Sequence, residues 1–345
     1  MERVVFFLHR VYPDKGVDDL SLKDFERALN LITHRFKVVP LSELLSSSSK
    51  ERLAAITFDD GYADNWVYAY PILKKRGLKA HIFITSGRIR EDESVRPNLF
   101  DYWNGKVSWR ELLKPTSMGK CHTEFFLRGR KSEFLSWREL QEMSDVFTFG
   151  AHGLAHGKIP VSKDILDFYD GKNFHRDFLF PEPDLFTGKP RFKCKSSLWG
   201  PSFIPSKELF KLCRNFLKEG SWKEKLREEV KKLPLGRFEG EGEAKVRIER
   251  ELEESNRLIE ENLGVRPETF SWPFGHYSSL SKEVASKFYS YVFTTKRGVI
   301  DGSSNPLELP RVPLGREIWT VLGRVITFST PIYRVYRKLK GDKSL

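Results

Sequence analysis

The stretch Leu53–Tyr62, LAAITFDDGY, constrains the fold of this chain more than any other segment. Its first half is a short run of apolar and β-branched residues, the pattern of a strand buried in a sheet. Its second half breaks into two adjacent carboxylates, Asp59 and Asp60, followed by Gly61. A strand ending this way delivers both charges to the rim of a sheet, and catalytic groups of α/β folds sit at such C-terminal strand ends. An Asx-turn accounts for one Asp before glycine. It does not account for two, because adjacent carboxylates repel unless a cation or a shared proton offsets them. The partners of a metal are therefore to be sought elsewhere in the chain.

Around this strand the sequence alternates. Val4–His9 reads as a strand ending on a histidine, and Leu22–His34 as an amphipathic helix capped by Ser21. Trp66–Arg76 reads as a helix closed by Gly77, which Pro71 must kink or split. Ala80–Thr85 and Val146–Ala151 are strands, with Trp137–Met143 a helix between them. Ala244–Leu263 is the longest helical stretch, closed by Gly264; Phe270–Pro273 and Tyr291–Thr295 are strands flanking a helix at Ser281–Phe288, and Leu307–Leu314 is extended. About seven strands alternating with helices mean a parallel sheet, open or closed into a barrel. Two regions interrupt the alternation, 87–136 and 158–242, the second with helix-like pieces near Ser206–Lys218 and Trp222–Lys232. Insertions of this length in a compact fold are usually functional loops or lids.

With 345 residues, 39% of them apolar and 31% charged, the chain has the composition of a globular protein with a substantial core. A formal charge of +12 calls for an anionic neighbour, for which nucleic acid, a membrane surface and a glycan all qualify. The basic residues are dispersed and no nucleic-acid recognition motif is present, so no nucleic-acid partner is expected. Three cysteines without CxxC spacing fit a reducing compartment. The apolar run Val4–Leu8 is too short for a signal-peptide core, and the expectation is a cytoplasmic protein. From Glu317 onward, Ile318, Val321, Leu322, Val325 and Ile326 form a helical apolar stripe, and basic residues from Arg334 to Lys343 follow. That pattern suits peripheral contact with an anionic membrane; a terminal helix docked on the barrel satisfies it equally.

His152 and His156 stand four apart in GAHGLAH, directly after a predicted strand. Spacing i, i+4 puts two imidazoles on one face of a helical turn, where both reach one cation. Two histidines and one carboxylate, with positions left open for water, form a catalytic metal set. Asp60 can complete it, which leaves Asp59 free as a base. The set accepts zinc first, and also cobalt, nickel, manganese or iron(II). A third stretch, TFSWPFGHY (Thr269–Tyr277), is a strand ending in Pro-Phe-Gly, where an amide N–H can face the site.

Taken together these stretches resemble the polysaccharide deacetylases, the NodB-like domain of carbohydrate esterase family four. TFDDGY matches the family's first motif, AHGLAH resembles its second, H-[ST]-x-x-H, and SWPFG resembles its third. The resemblance covers roughly residues 1–316 apart from the two insertions, leaving 317–345 as a basic C-terminal helix and tail. It implies a distorted (β/α)7-type barrel and metal-dependent removal of the acyl group from an N-acetylated glycan or glycolipid. It assigns Asp59 as general base, Asp60, His152 and His156 as metal ligands, and the Phe274 N–H as an oxyanion donor. The family's late histidine acid has no counterpart after His276. VVFFLHRVYP at the N-terminus instead looks like the circularly permuted poly-N-acetylglucosamine deacetylases of biofilms, which points to His9 as the acid.

Two departures matter. Gly153 stands where the family has a Ser or Thr hydroxyl, and Ser271 stands where many members have the arginine that orients the base. Arg311, in LPRVPLG, is the candidate replacement. Trp103, Trp109, Trp199 and Phe203 in the insertions suit either a glycan groove or ordinary packing. The same fold could serve an amidohydrolase acting on a non-carbohydrate amide. A noncatalytic glycan-binding relative would have no use for a spare carboxylate beside a metal set.

Overall fold

In the computed structural model, which describes residues 3–330, seven parallel strands form one curled sheet. They are β1 (Arg3–Leu8), β2 (Leu53–Asp60), β3 (Ala80–Ile84), β4 (Phe147–Ala151), β5 (Thr269–Ser271), β6 (Tyr291–Phe293) and β7 (Val312–Pro313). Neighbours follow chain order from β1 to β6, and β7 returns to pair with β1 through Phe6 and Val312. A two-residue strand, Lys37–Val38, adds to the start of β2. The sheet's two edges meet across the segment leading into β7. Leu309 exchanges hydrogen bonds with β6 (its N–H to Val292 O at 2.8 Å, Thr294 N–H to its own O at 2.9 Å), three residues before Val312 pairs with β1. The expected α/β barrel is what the chain forms.

All eight residues of β2 are buried, as a parallel strand covered on both faces requires. Alternation divides them. Ala54, Ile56 and Phe58 face the surrounding helices, while Leu53 and Ala55 join Val5, Phe83, Phe293 and Leu309 inside the barrel. Continuing that phase carries Thr57 and Asp59 inward too. Helix Leu22–Arg35, capped by the Ser21 hydroxyl accepting from Asp24 N–H, buries Phe25, Ala28, Leu29 and Ile32 against the outer face. Of these, Phe25, Leu29 and Ile32 each contribute roughly 1.5–3 kcal/mol. Helix Glu241–Leu263 does the same with Ile248, Leu252 and Ile259, and ends at the left-handed Gly264.

Several expectations shift by a turn. The stretch 65–75 is split at Pro71, as its sequence requires, into a wide turn Asn65–Ala69 and an α-helix Tyr70–Lys75. The first insertion contains a helix the sequence does not announce, Met118–Arg128. The second folds as an antiparallel hairpin, Lys158–Phe168 with Pro190–Ser196, backed by helices Lys207–Asn215 and Trp222–Val230 on a small core of their own. Phe203 belongs to that core, and Trp109 packs near Tyr68, so both are packing residues rather than groove walls. Helix Ile318–Ser329 docks with Val321, Val325 and Phe328 buried, whereas Ile326 turns outward and Trp319 is 76% exposed. The basic residues beyond it, Arg334 to Lys343, lie outside the described residues. No helix among the described residues is long and apolar enough to cross a membrane.

Candidate active site

Parallel strands present all their C-terminal ends on one rim, and the residues singled out by sequence collect there. Asp59 and Asp60 end β2, His152 follows β4, His9 follows β1, and Pro273–Gly275 follows β5. They border a cleft of about 500 Å³, with Asp18, His122 and Arg176 among its other walls. Arg311 rises from the barrel interior below, its guanidinium 4.2 Å from the Phe7 ring centroid and 5.3 Å from that of Phe83.

Asp59 and Arg311 form a two-pronged ion pair, Nη1 to Oδ1 and Nη2 to Oδ2, each 2.7 Å. Nη2 also donates to Ser271 Oγ at 2.6 Å and Nη1 reaches Thr57 Oγ1 at 3.3 Å. Ser271, standing where the family is expected to carry an arginine, thus supports an arginine that arrives from the segment just before β7. Burial by itself would raise the Asp59 carboxyl; the paired guanidinium outweighs it and holds the group below the usual carboxylate range. Asp59 is therefore an anionic acceptor with a fixed orientation.

Asp60 has a left-handed backbone (φ 76°) and turns its carboxylate toward two imidazoles. Its Oδ1 lies 3.4 Å from Nε2 of both His152 and His156. The ring nitrogens and the carboxylate oxygen of these three residues fall within 4.8 Å of one another. His152 donates from Nδ1 to the Ser271 carbonyl at 2.7 Å, so the proton is on Nδ1 and the Nε2 lone pair faces Asp60. Burial, reinforced by the neighbouring positive groups, drives the His156 imidazole well below its usual value, which keeps it neutral. Asp60 stays well below the carboxylate range, burial being outweighed by the imidazoles around it. Asp60 Oδ1 and His156 Nδ1 are buried without a hydrogen-bond partner among the described residues. An unpartnered buried acceptor is destabilising by about 1–3 kcal/mol, and here it faces the His152 lone pair and Nε2 of His156. The donor set fits a divalent cation.

One feature corrects the sequence reading. His152 and His156 do not share a helical turn: the segment between them is an irregular loop, with Gly153 at φ +79° and His156 at φ +52°. The two rings converge because the backbone folds back on itself, with centroids 4.9 Å apart.

The Pro273–Gly275 turn places Phe274 at φ 59°, its ring 4.2 Å from that of His156. Glycine is obligatory after it, since a Cβ at Gly275 would lie 2.1 Å from Thr295 Oγ1. Among the described residues no backbone acceptor pairs with the Phe274 N–H, and Phe274 lines the cleft. On the opposite wall His9 Nδ1 lies 3.1 Å from Asp19 Oδ2, which also accepts the N–H groups of His9 (2.8 Å) and Arg10 (3.2 Å). Burial would lower the His9 imidazole, but the Asp19 hydrogen bond and charge, with Asp60 and Asp59 beyond, raise it to about 9.

Asp19, Arg88 and His122, like the cleft residues Asp18 and Arg176, are polar neighbours of the site absent from the sequence reading. His122, from helix Met118–Arg128, brings Nε2 to 3.7 Å from Asp60 Oδ2. Nothing in its local sequence sets it apart from the other histidines. Trp199 is the one aromatic of the four candidates that lies close to the rim turn, its ring 6.4 Å from that of His276.

Comparison with known proteins bears on the family and the fold. The profile of the polysaccharide deacetylase family matches residues 46–165, which carry Asp59, Asp60, His152 and His156. A Bacillus subtilis (strain 168) protein assigned to the polysaccharide deacetylases, YxkH, is 62% identical over 34 residues, 10% of this chain; the match spans only 12% of that relative's length. Among solved structures, the BpsB deacetylase domain from Bordetella bronchiseptica superposes with a TM-score of 0.56 at 15% identity, covering 90% of this chain and 94% of that one. IcaB from Ammonifex degensii gives 0.52 at 17% identity, covering 94% and 97%. Streptococcus pyogenes PplD, solved with acetate, gives 0.52 at 13% identity, covering 94% and 98%. At these identities the structures establish the shared fold.

Proposed function

We propose that this chain, a member of the polysaccharide deacetylase family, hydrolyses the N-acetyl group of an amino-sugar-containing glycan or glycolipid. The observation that carries the reading is the pairing of a clamped, anionic Asp59 with a neighbouring Asp60–His152–His156 donor set in one cleft. A divalent cation held by that set, zinc by preference for its nitrogen and oxygen donors, would supply Lewis-acid polarisation of the acyl carbonyl and a lowered pKa for water.

The chain's own groups do the rest. Asp59, fixed by Arg311, accepts a proton from water as the water oxygen attacks the carbonyl carbon. The Phe274 N–H donates to the oxygen on which charge develops. His9, kept protonated by Asp19, gives its proton to the amide nitrogen as the C–N bond breaks, because an amine leaves poorly unless protonated. Acetate and a free amino sugar result. The rim aromatics Phe274 and Trp199 offer apolar faces for a sugar ring, and the chain's formal charge of +12 favours an anionic glycan or lipid-linked carrier.

The test is acetate release from a panel of N-acetylated glycans, using protein stripped of metal and reloaded with zinc or cobalt. Metal-dependent release on part of the panel is the expected result. Stoichiometric metal binding without release from any glycan would transfer the reading to a non-carbohydrate amide.

A further inference from the structure

The loop that carries both histidine ligands has no helical hydrogen bonds of its own, yet its carbonyl oxygens are satisfied one after another by a single short segment. Ser86 N–H donates to Gly153 O (3.2 Å) and Gly87 N–H to Leu154 O (2.8 Å). Arg88 Nε then donates to Ala155 O (2.9 Å) and Arg88 Nη2 to His156 O (3.3 Å). Three consecutive residues thus hold four consecutive carbonyls. The fit leaves no slack, for a Cβ at Gly87 would lie 2.7 Å from the Leu154 oxygen.

Arg88 is an expensive residue to use this way. Its side chain is fully buried, it makes no ion pair among the described residues, and its guanidinium lies 4.9 Å from the ring centroid of Phe125 and 5.4 Å from those of Phe126 and Phe134. A buried cation without a bonded carboxylate is strongly disfavoured. The charge that most offsets it is that of Asp60, the carboxylate of the donor set. Its remaining arm, Nη1, lies 3.3 Å from Nε2 of His122, the same nitrogen that stands 3.7 Å from Asp60 Oδ2. One guanidinium is therefore bonded to the loop bearing His152 and His156 and, through one imidazole, abuts the third donor.

We infer that Arg88 and His122 are positioning residues of the metal centre, Arg88 clamping the histidine loop and His122 closing off the outer oxygen of Asp60. The inference rests on the metal reading of Asp60, His152 and His156. It gives the first insertion a role, since both residues come from 87–136. It also supplies an anchor to a loop in which Gly153 provides no side-chain hydroxyl.

The test is a Co2+ titration of stripped wild-type, Arg88→Lys and His122→Ala protein, with affinity read by chelator competition and geometry by the visible absorption of the bound ion. Wild type should bind one ion per chain. Arg88→Lys keeps the charge but loses the fork, and should bind about 10- to 100-fold more weakly, with an altered visible band, the range expected when a group behind the ligands is lost. His122→Ala should change both readouts in the same direction. Affinities within twofold of wild type and an unchanged band in both variants would overturn the inference. No binding by wild type would instead sink the metal reading itself. Should Arg88→Lys fail to unfold cooperatively, His122→Ala decides alone: weakened binding supports the pair, and wild-type binding overturns it.

Discussion

Asp59 and Asp60 are neighbours in sequence with opposite surroundings, and their chemistry follows from the difference. Asp59 meets a guanidinium, so it is charged and aimed; Asp60 meets imidazoles, so it is charged and available to a cation. Asp59→Asn should therefore lower kcat by about 10²- to 10⁴-fold while leaving Co2+ affinity near that of wild type, by the same chelator competition. Arg311→Met should strand a buried carboxylate, at a cost of about 3–5 kcal/mol in urea unfolding. His9 yields a pH prediction. Its folded value near 9 lies above its ordinary value, so the protonated acid and the stability it brings are fully present below about pH 6.5 and are lost as pH rises through 9. The alkaline limb of kcat/KM should fall near pH 9, and Asp19→Asn should move it toward neutrality. A limb that stays in place in the variant would remove Asp19 from the account.

Elements explain which of these residues can be read from sequence. Asp59, Asp60, His152 and Phe274 are legible because each follows a strand whose apolar run is plain, and parallel strands bring such ends together without further information. Arg311 is legible only as a candidate, since its partner ends a strand two places away in the sheet and remote in sequence. Asp19, Arg88 and His122 are not legible at all. Their contacts are made by loops and by an insertion helix whose docking depends on shape, and no periodicity encodes that. The helical reading of GAHGLAH fails for a related reason: Gly153 permits a backbone reversal that the spacing of two histidines cannot reveal. Packing inside the barrel is tight enough to test the assigned register of β4. A Cβ on Gly150 would lie 2.4 Å from Thr269 Oγ1 and 2.6 Å from His81 Nε2. Gly150→Val should therefore cost about 1–3 kcal/mol, seen as a lower urea midpoint at an unchanged slope.

At the scale of the molecule, a buried site with unpartnered acceptors links metal to folding. An ion that binds only the folded chain stabilises it by about 2.7 kcal/mol at a hundredfold excess over Kd. Zinc should therefore raise the melting temperature of stripped protein and a chelator should reverse the shift; in a Asp60→Ala variant the shift should vanish. The segment Leu309–Pro313 joins the two edges of the sheet and also carries Arg311, whose partner Asp59 lies 252 residues earlier. Closure of the fold and orientation of the Asp59 carboxylate are therefore a single event in the life of the chain. A polypeptide still on the ribosome holds its acidic motif from early on, but Asp59 lacks its guanidinium partner until the segment before the last strand emerges.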